Sequence, residues 1–114
     1  MKTYMPVAPG AVMTQEHTRP TFIPNSLNDL RGPTSGSVTL PLILDWTPLN
    51  SYNLENPSRL RRLYETVLSE ATSEVDIINY IDKDRLQVLW HELRLPKRVR
   101  SAWESAYPEL RADA

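Results

Sequence analysis

From residue 57 onward, apolar side chains return every three or four positions. Leu60, Leu63, Tyr64, Val67, Leu68 and Ala71 fall at i, i+3, i+4, i+7, i+8 and i+11, the stripe that one face of a helix buries. Asn56-Pro57 just ahead supplies an N-cap and a proline at the first helical position. Ser73 with Asp76 three residues on resembles a capping box, and predicts a short helix carrying Ile77, Ile78 and Ile81. Asp82 or Lys83 opens a third helix, with Leu86, Leu89, Trp90 and Leu93 on one face. Pro96 pushes Leu95 toward extended geometry and breaks the chain there. A last helix carries Val99, Ala102, Trp103 and Ala106 and stops before Pro108. Short connections force neighbouring helices together, so the pattern predicts a mainly α fold, a compact bundle of roughly four short helices over 57–107 without internal repeats.

Ahead of the helices the period is lost. Residues 1–39 hold all three glycines and five of the ten prolines, with few large apolar side chains. Such a stretch buries too little surface to offset its ordering entropy, so residues 1–26 read as a flexible N-terminal arm, with Met13 a second candidate start. The domain then covers 27–110, and 111–114 is a C-terminal tail. SVTLPLILDW (Ser37 to Trp46) is apolar and β-branched but interrupted by Pro41, giving an extended segment over 37–47. It is either one short edge strand or irregular structure over the helices. As a strand it lacks an evident partner in the chain, and would await one from elsewhere.

Composition narrows the chemistry. Thirteen Lys and Arg against fourteen Asp and Glu give a net charge of −1 and a pI near 6.1, so no global basic field draws the protein to nucleic acid. The absence of cysteine removes disulfides, thiolate catalysis and Cys-based zinc sites. No apolar run approaches the roughly 20 residues of a membrane span, and Pro6 and Pro9 spoil a signal peptide, so a cytoplasmic location is expected. His17 lies in the arm and His91 stands beside Glu92, which makes neither a metal triad nor a Ser-His-Asp set. RGPTSGS (Arg31 to Ser37) lacks the Lys-Ser/Thr end of a phosphate loop. The expectation is a non-enzyme with no catalytic residue, cofactor or metal.

Two basic clusters remain. Arg94, Lys97, Arg98 and Arg100 precede Trp103, but on a helix with Val99, Trp103 and Ala106 inward they surround the axis. A DNA-reading helix gathers its cations along one edge. Arg59, Arg61 and Arg62 crowd the first turns of a helix, where the macrodipole disfavours cations by roughly 0.3–1 kcal/mol each. Arg61 can pair with Glu65 at i+4, and the cluster suits an acidic partner. The helices over 74–81 and 83–93 lack the glycine turn of a helix-turn-helix. Of the tryptophans at 46, 90 and 103, any left exposed would mark an interface.

Taken together, LP-x-x-L-D-W (Leu40 to Trp46), R-x-x-Y-E-x-V-L-x-E-A ending at Ala71, Asp76, L-x-x-L-W (Leu86 to Trp90), L-x-L-P-x-x-V-R-x-x-W (Leu93 to Trp103) and Pro108 form a pattern. It resembles small helical proteins, largely actinobacterial, encoded beside nucleotidyltransferase-like toxins of the AbiEii group. The resemblance spans about 27–110 and rests on apolar and aromatic scaffold positions. It implies an antitoxin that neutralises its toxin by direct binding. Before residue 30 the chain holds only Glu16 and Asp29 as acids, too few to mimic nucleic acid, so steric blocking is the expected mechanism.

The candidate partner-binding residues are Leu42, Leu44, Trp46, Arg59 and Arg62. The alternatives are a small DNA-binding regulator, contacting DNA through Arg94, Lys97, Arg98 and Arg100, or a structural subunit of a larger complex. On the first reading, Trp46→Ala and Leu44→Asp should abolish toxin capture in a pull-down while the circular dichroism spectrum stays unchanged.

Overall fold

The computed structural model describes residues 21–112. Most of the expected arm, with Met13, Glu16 and His17, lies outside the described residues, as do Asp113 and Ala114. Among the described residues the fold is mainly α: five helices and a two-stranded antiparallel sheet.

The helices begin where their caps place them. In α1 (Pro57–Glu70), Asn56 Oδ1 accepts hydrogen bonds from the Ser58 and Arg59 amides at 3.0 and 3.2 Å, and Leu60, Leu63, Tyr64, Val67 and Leu68 form the buried stripe. Ser73 precedes α2 (Glu74–Tyr80), but its hydroxyl makes no capping bond. Asp76 instead reaches back to Thr72, accepting from both its amide and its hydroxyl at 2.9 Å. Asp82 caps α3 (Lys83–Leu89) by accepting from the Arg85 amide at 3.0 Å, and the chain tightens into a 3₁₀ turn over Trp90–Glu92. Pro96 opens α4 (Lys97–Ala106).

Four expectations change. Pro108 stops α4 but also begins another helix, α5 (Pro108–Ala112), because a proline is well placed at a first helical position. Leu110 of this helix is fully buried, whereas Ala106, expected inward, is exposed. The strand is shorter than expected and has its partner within the chain. β1 (Ser37–Thr39) pairs with β2 (Ser51–Asn53), Val38 opposite Tyr52, both facing inward. The polar sequence of β2 concealed it, since only Tyr52 carries the apolar face. Finally, Arg61 pairs with Glu92 at 3.5 Å, while Arg62 approaches Glu65 to 4.0 Å.

The core centres on two tryptophans with no exposed surface, Trp90 and Trp103, whose ring centroids lie 6.3 Å apart; Tyr107 stands 5.9 Å beyond Trp103. Leu63, Val67, Ile77, Ile81, Leu86 and Leu110 close around them. Trp90 Nε1 donates to Glu104 Oε2 at 2.9 Å, while Trp103 Nε1 has no partner among the described residues. Tyr64 joins α1 to the start of α3 by accepting from the Asp82 amide at 3.0 Å, and burial pushes its hydroxyl up to about 12.

The segment before β1 is strapped onto this core. Pro24, within the stretch expected as arm, is buried, and its carbonyl accepts from the Tyr107 hydroxyl; Ile23 packs against the core, and Leu27 and Leu30 lie in it. The Arg31 and Gly32 amides donate to the Ile78 and Ile81 carbonyls at 3.0 and 2.9 Å. A Cβ at Gly32 would strike the Tyr80 carbonyl carbon and sit 2.5 Å from the Ile81 nitrogen. Backbone cannot rotate away, so this close approach requires glycine. Gly32→Ala should cost about 1–3 kcal/mol, the usual price of overpacking, read as a lower urea midpoint.

Candidate functional site

The sheet ends in a loop that displays apolar side chains to solvent. Beyond Thr39 and Ser51 the ladder gains one more rung: the Leu40 amide donates to the Asn50 carbonyl at 2.9 Å, and Asn50 Nδ2 returns a bond to the Leu40 carbonyl at 2.9 Å. Residues 41–49 leave this closed base. The Pro41 carbonyl accepts from the Leu44 and Asp45 amides at 2.9 and 3.1 Å, which turns the chain and points Leu44 into the core. Leu42, Ile43, Trp46 and Leu49 are left 69, 72, 82 and 69 % exposed. Four large apolar side chains on one loop are costly to leave in water, at roughly 1.5–3 kcal/mol each relative to burial.

This display is held in place from beneath. Asp45 is buried, and its carboxylate accepts from the Tyr52 hydroxyl, the Thr47 hydroxyl at 2.7 Å and the Thr47 amide at 3.1 Å. Burial alone would raise the Asp45 carboxyl. The bonds from Tyr52 and Thr47, helped by the Arg62 charge, outweigh it and hold the group below the usual carboxylate range. Burial and the bond to Asp45 push the Tyr52 hydroxyl up. Arg59 lies over the Tyr52 ring at 4.3 Å and donates to the Leu49 and Ser51 carbonyls at 2.7 and 3.1 Å, tying the loop's far end to α1.

Between the loop and α1 runs a groove of about 560 Å³, open to solvent and lined also by Arg94 and Pro96. Ile43, Trp46 and Leu49 form its apolar wall, and Arg59, Arg62, Glu65 and Glu70 line the helix side. Glu65 accepts from the Arg94 amide at 2.8 Å.

Five expected site residues line the groove: Leu44, Trp46, Arg59 and Arg62 from the partner-binding set, and Arg94 from the nucleic-acid set. Leu42 is on the same loop, exposed. Leu44 is a correction. Only 3 % of it is exposed, so it is a core residue, and Leu44→Asp would report unfolding rather than lost contact.

The nucleic-acid set is not a free cationic edge. Arg100 is half-buried, donates to the Trp90 carbonyl at 3.3 Å and to the Leu93 carbonyl, covers the Trp90 ring at 5.0 Å and pairs with Glu104 at 3.9 Å. Its charge is spent on the turn between α3 and α4. Arg98 is half-buried and engaged, and Lys97 is exposed.

Tyr52, Ile43 and Leu49 are not candidates from sequence, and Asp45 enters there only as a scaffold position of the L-D-W pattern. Asp45 had a local signal, since Asp with Thr two residues on favours a side-chain-to-backbone turn. Tyr52 had none, because only the strand pairing brings it beneath the loop. Among the described residues no group of three His, Asp or Glu could hold a metal ion, and no helix is long and apolar enough to cross a membrane. Compared with protein-family models, curated proteins and solved structures, the chain matches none.

The Asp45 anchor has a pH signature. A carboxyl held low in the fold adds stability above its unfolded pKa of about 3.9 and loses it as pH falls through the lower folded value. Asp45→Asn should therefore be less stable than the parent at pH 7, and the gap should narrow from about pH 4 downward. Urea melts across pH 2–7 would check this.

Proposed function

We propose that this chain is a non-enzymatic protein-interaction module whose docking face is the 41–49 loop and the groove beside it. One observation carries the reading: four large apolar side chains stand mostly exposed on a loop that is anchored on both sides and beneath. An interface with such a display keeps its ordering cost low, because the loop is already shaped before the partner arrives. Trp46 is the natural anchor, an aromatic flanked by smaller apolar groups and cations.

The finer proposal follows from the scaffold resemblance. The partner is a nucleotidyltransferase-like toxin, the chain is its antitoxin, and blocking is steric, through Trp46 and its neighbours. A cytoplasmic location goes with that role. The tethering of Arg100 weighs against the DNA-binding alternative, because withdrawing its guanidinium would give up its bonds to the Trp90 and Leu93 carbonyls and its cover of the Trp90 ring.

Co-expression with the adjacent reading frame, followed by copurification and growth rescue, tests this. The parent chain should form a stable complex and restore growth. Trp46→Ala combined with Ile43→Ser should weaken capture about ten-fold or more, with unchanged melting temperature, since both side chains are exposed. A complex that survives the double substitution would reject the loop as docking face. Absence of any complex, together with salt-sensitive binding to promoter DNA, would favour the regulator.

A further inference from the structure

The charges in the groove are not balanced in the way their number suggests. Asp45, Glu65 and Glu70 line it together with Arg59, Arg62 and Arg94. Yet the acids are mostly covered: Asp45 is buried, the Glu65 side chain is 14 % exposed and Glu70 is half-buried. Asp45 is held by Tyr52 and Thr47, Glu65 by the Arg94 amide and Arg62, and Glu70 is engaged as well. The cations are not matched to the same degree. Arg59 directs its hydrogen bonds to the neutral carbonyls of Leu49 and Ser51 and makes no ion pair among the described residues. Arg62 meets Glu65 only at 4.0 Å, with its side chain 65 % exposed. The Arg94 guanidinium is exposed and makes no polar contact among the described residues. The formal charges of the lining cancel, but the charges turned to solvent are the guanidinium groups of Arg62 and Arg94, and they border the apolar wall of Ile43, Trp46 and Leu49.

The geometry points to a specific occupant: a segment of a partner protein that carries an aromatic or large aliphatic side chain flanked by carboxylates. The apolar side chain lies on Trp46 and Ile43, and the carboxylates reach Arg62 and Arg94. Charge-assisted bonds to a guanidinium are among the stronger polar contacts, and a planar fork suits a carboxylate. A single-stranded nucleic acid fits less well. It would need a run of stacking surfaces, but of the two aromatics that line the groove Tyr52 is buried and only Trp46 is exposed. This inference rests on the protein-interaction reading and adds the chemistry of the partner's segment.

The test uses the full chain and synthetic peptides of equal length in which Phe and Leu alternate with Asp, with Ser or with Lys, plus an oligothymidylate. Trp46 is a local reporter, because Trp90 and Trp103 are fully buried. The Asp peptide should change the tryptophan emission and bind about ten-fold or more tighter than the Ser peptide, with the Lys peptide weaker still. The double reversal Arg62→Glu with Arg94→Glu should invert the order, favouring the Lys peptide, and Trp46→Phe should remove the emission change while leaving anisotropy-detected binding in place. Equal binding of Asp and Ser peptides, absence of binding by all three, or tighter binding of the oligothymidylate would each overturn the inference.

The same double reversal, carried into the copurification assay, keeps the two readings apart. Toxin capture that survives it would overturn the charge assignment while the interaction module stands. Inverted peptide preference without any toxin capture by the parent would uphold the groove chemistry and remove the toxin as partner.

Discussion

The burial of Trp90 and Trp103 is the constraint on which the helical part of the structure depends. Apart from α1, the helices are too short to stand alone in water, because a nucleus costs more than a few turns repay. Each is held by burying apolar side chains in the cluster that contains the two indoles. The arrangement forces particular secondary contacts: Glu104 accepts from the Trp90 indole, Arg100 lies over its ring, and Tyr107 extends the aromatic row to the Pro24 carbonyl. Charges that looked like a surface cluster are thereby drawn into the turn between α3 and α4. A basic stretch in the sequence thus serves packing as much as display.

A second, smaller anchor organises the face opposite in chemical character. Leu44 is pulled inward, Asp45 is fastened to Tyr52 and Thr47, and Arg59 draws the far end of the loop to α1. Every inward commitment pushes a neighbour outward, since successive residues of a turn cannot all reach the core. Leu42, Ile43 and Trp46 are exposed for that reason, and they are exposed in a fixed geometry. The arrangement carries a cost in unburied apolar surface, and such a cost is ordinarily met by a partner that covers it.

How far the sequence could be read differs by element. Helix positions, starts at Asn56, Asp82 and Pro96, and the buried stripe of α1 were legible because caps and periodicity act over a few residues. The capping box at Ser73 was half legible: Asp76 does serve the helix start, but through Thr72. α5 was missed because Pro108 reads equally as a stop and as a first turn. β2 was missed because a three-residue strand with one apolar position has no pattern. In the candidate site, Trp46, Arg59 and Arg62 were legible as an aromatic and unfavourably placed cations. Leu44 was misjudged, since in an apolar run without a clear period nothing local says which side chain turns inward.

The sequence by itself determined what depends on neighbours along the chain: the mainly helical character, the caps, the apolar faces and the lack of thiol chemistry. Only the tertiary structure decided which charges are free and which are spent, since Arg94 and Arg100 are chemically alike six positions apart and differ in what surrounds them. It also decided that Leu44 is core and Trp46 is surface. That choice is made by Tyr52 pairing with Val38 across the sheet, a contact between residues far apart in the chain, which no local pattern encodes.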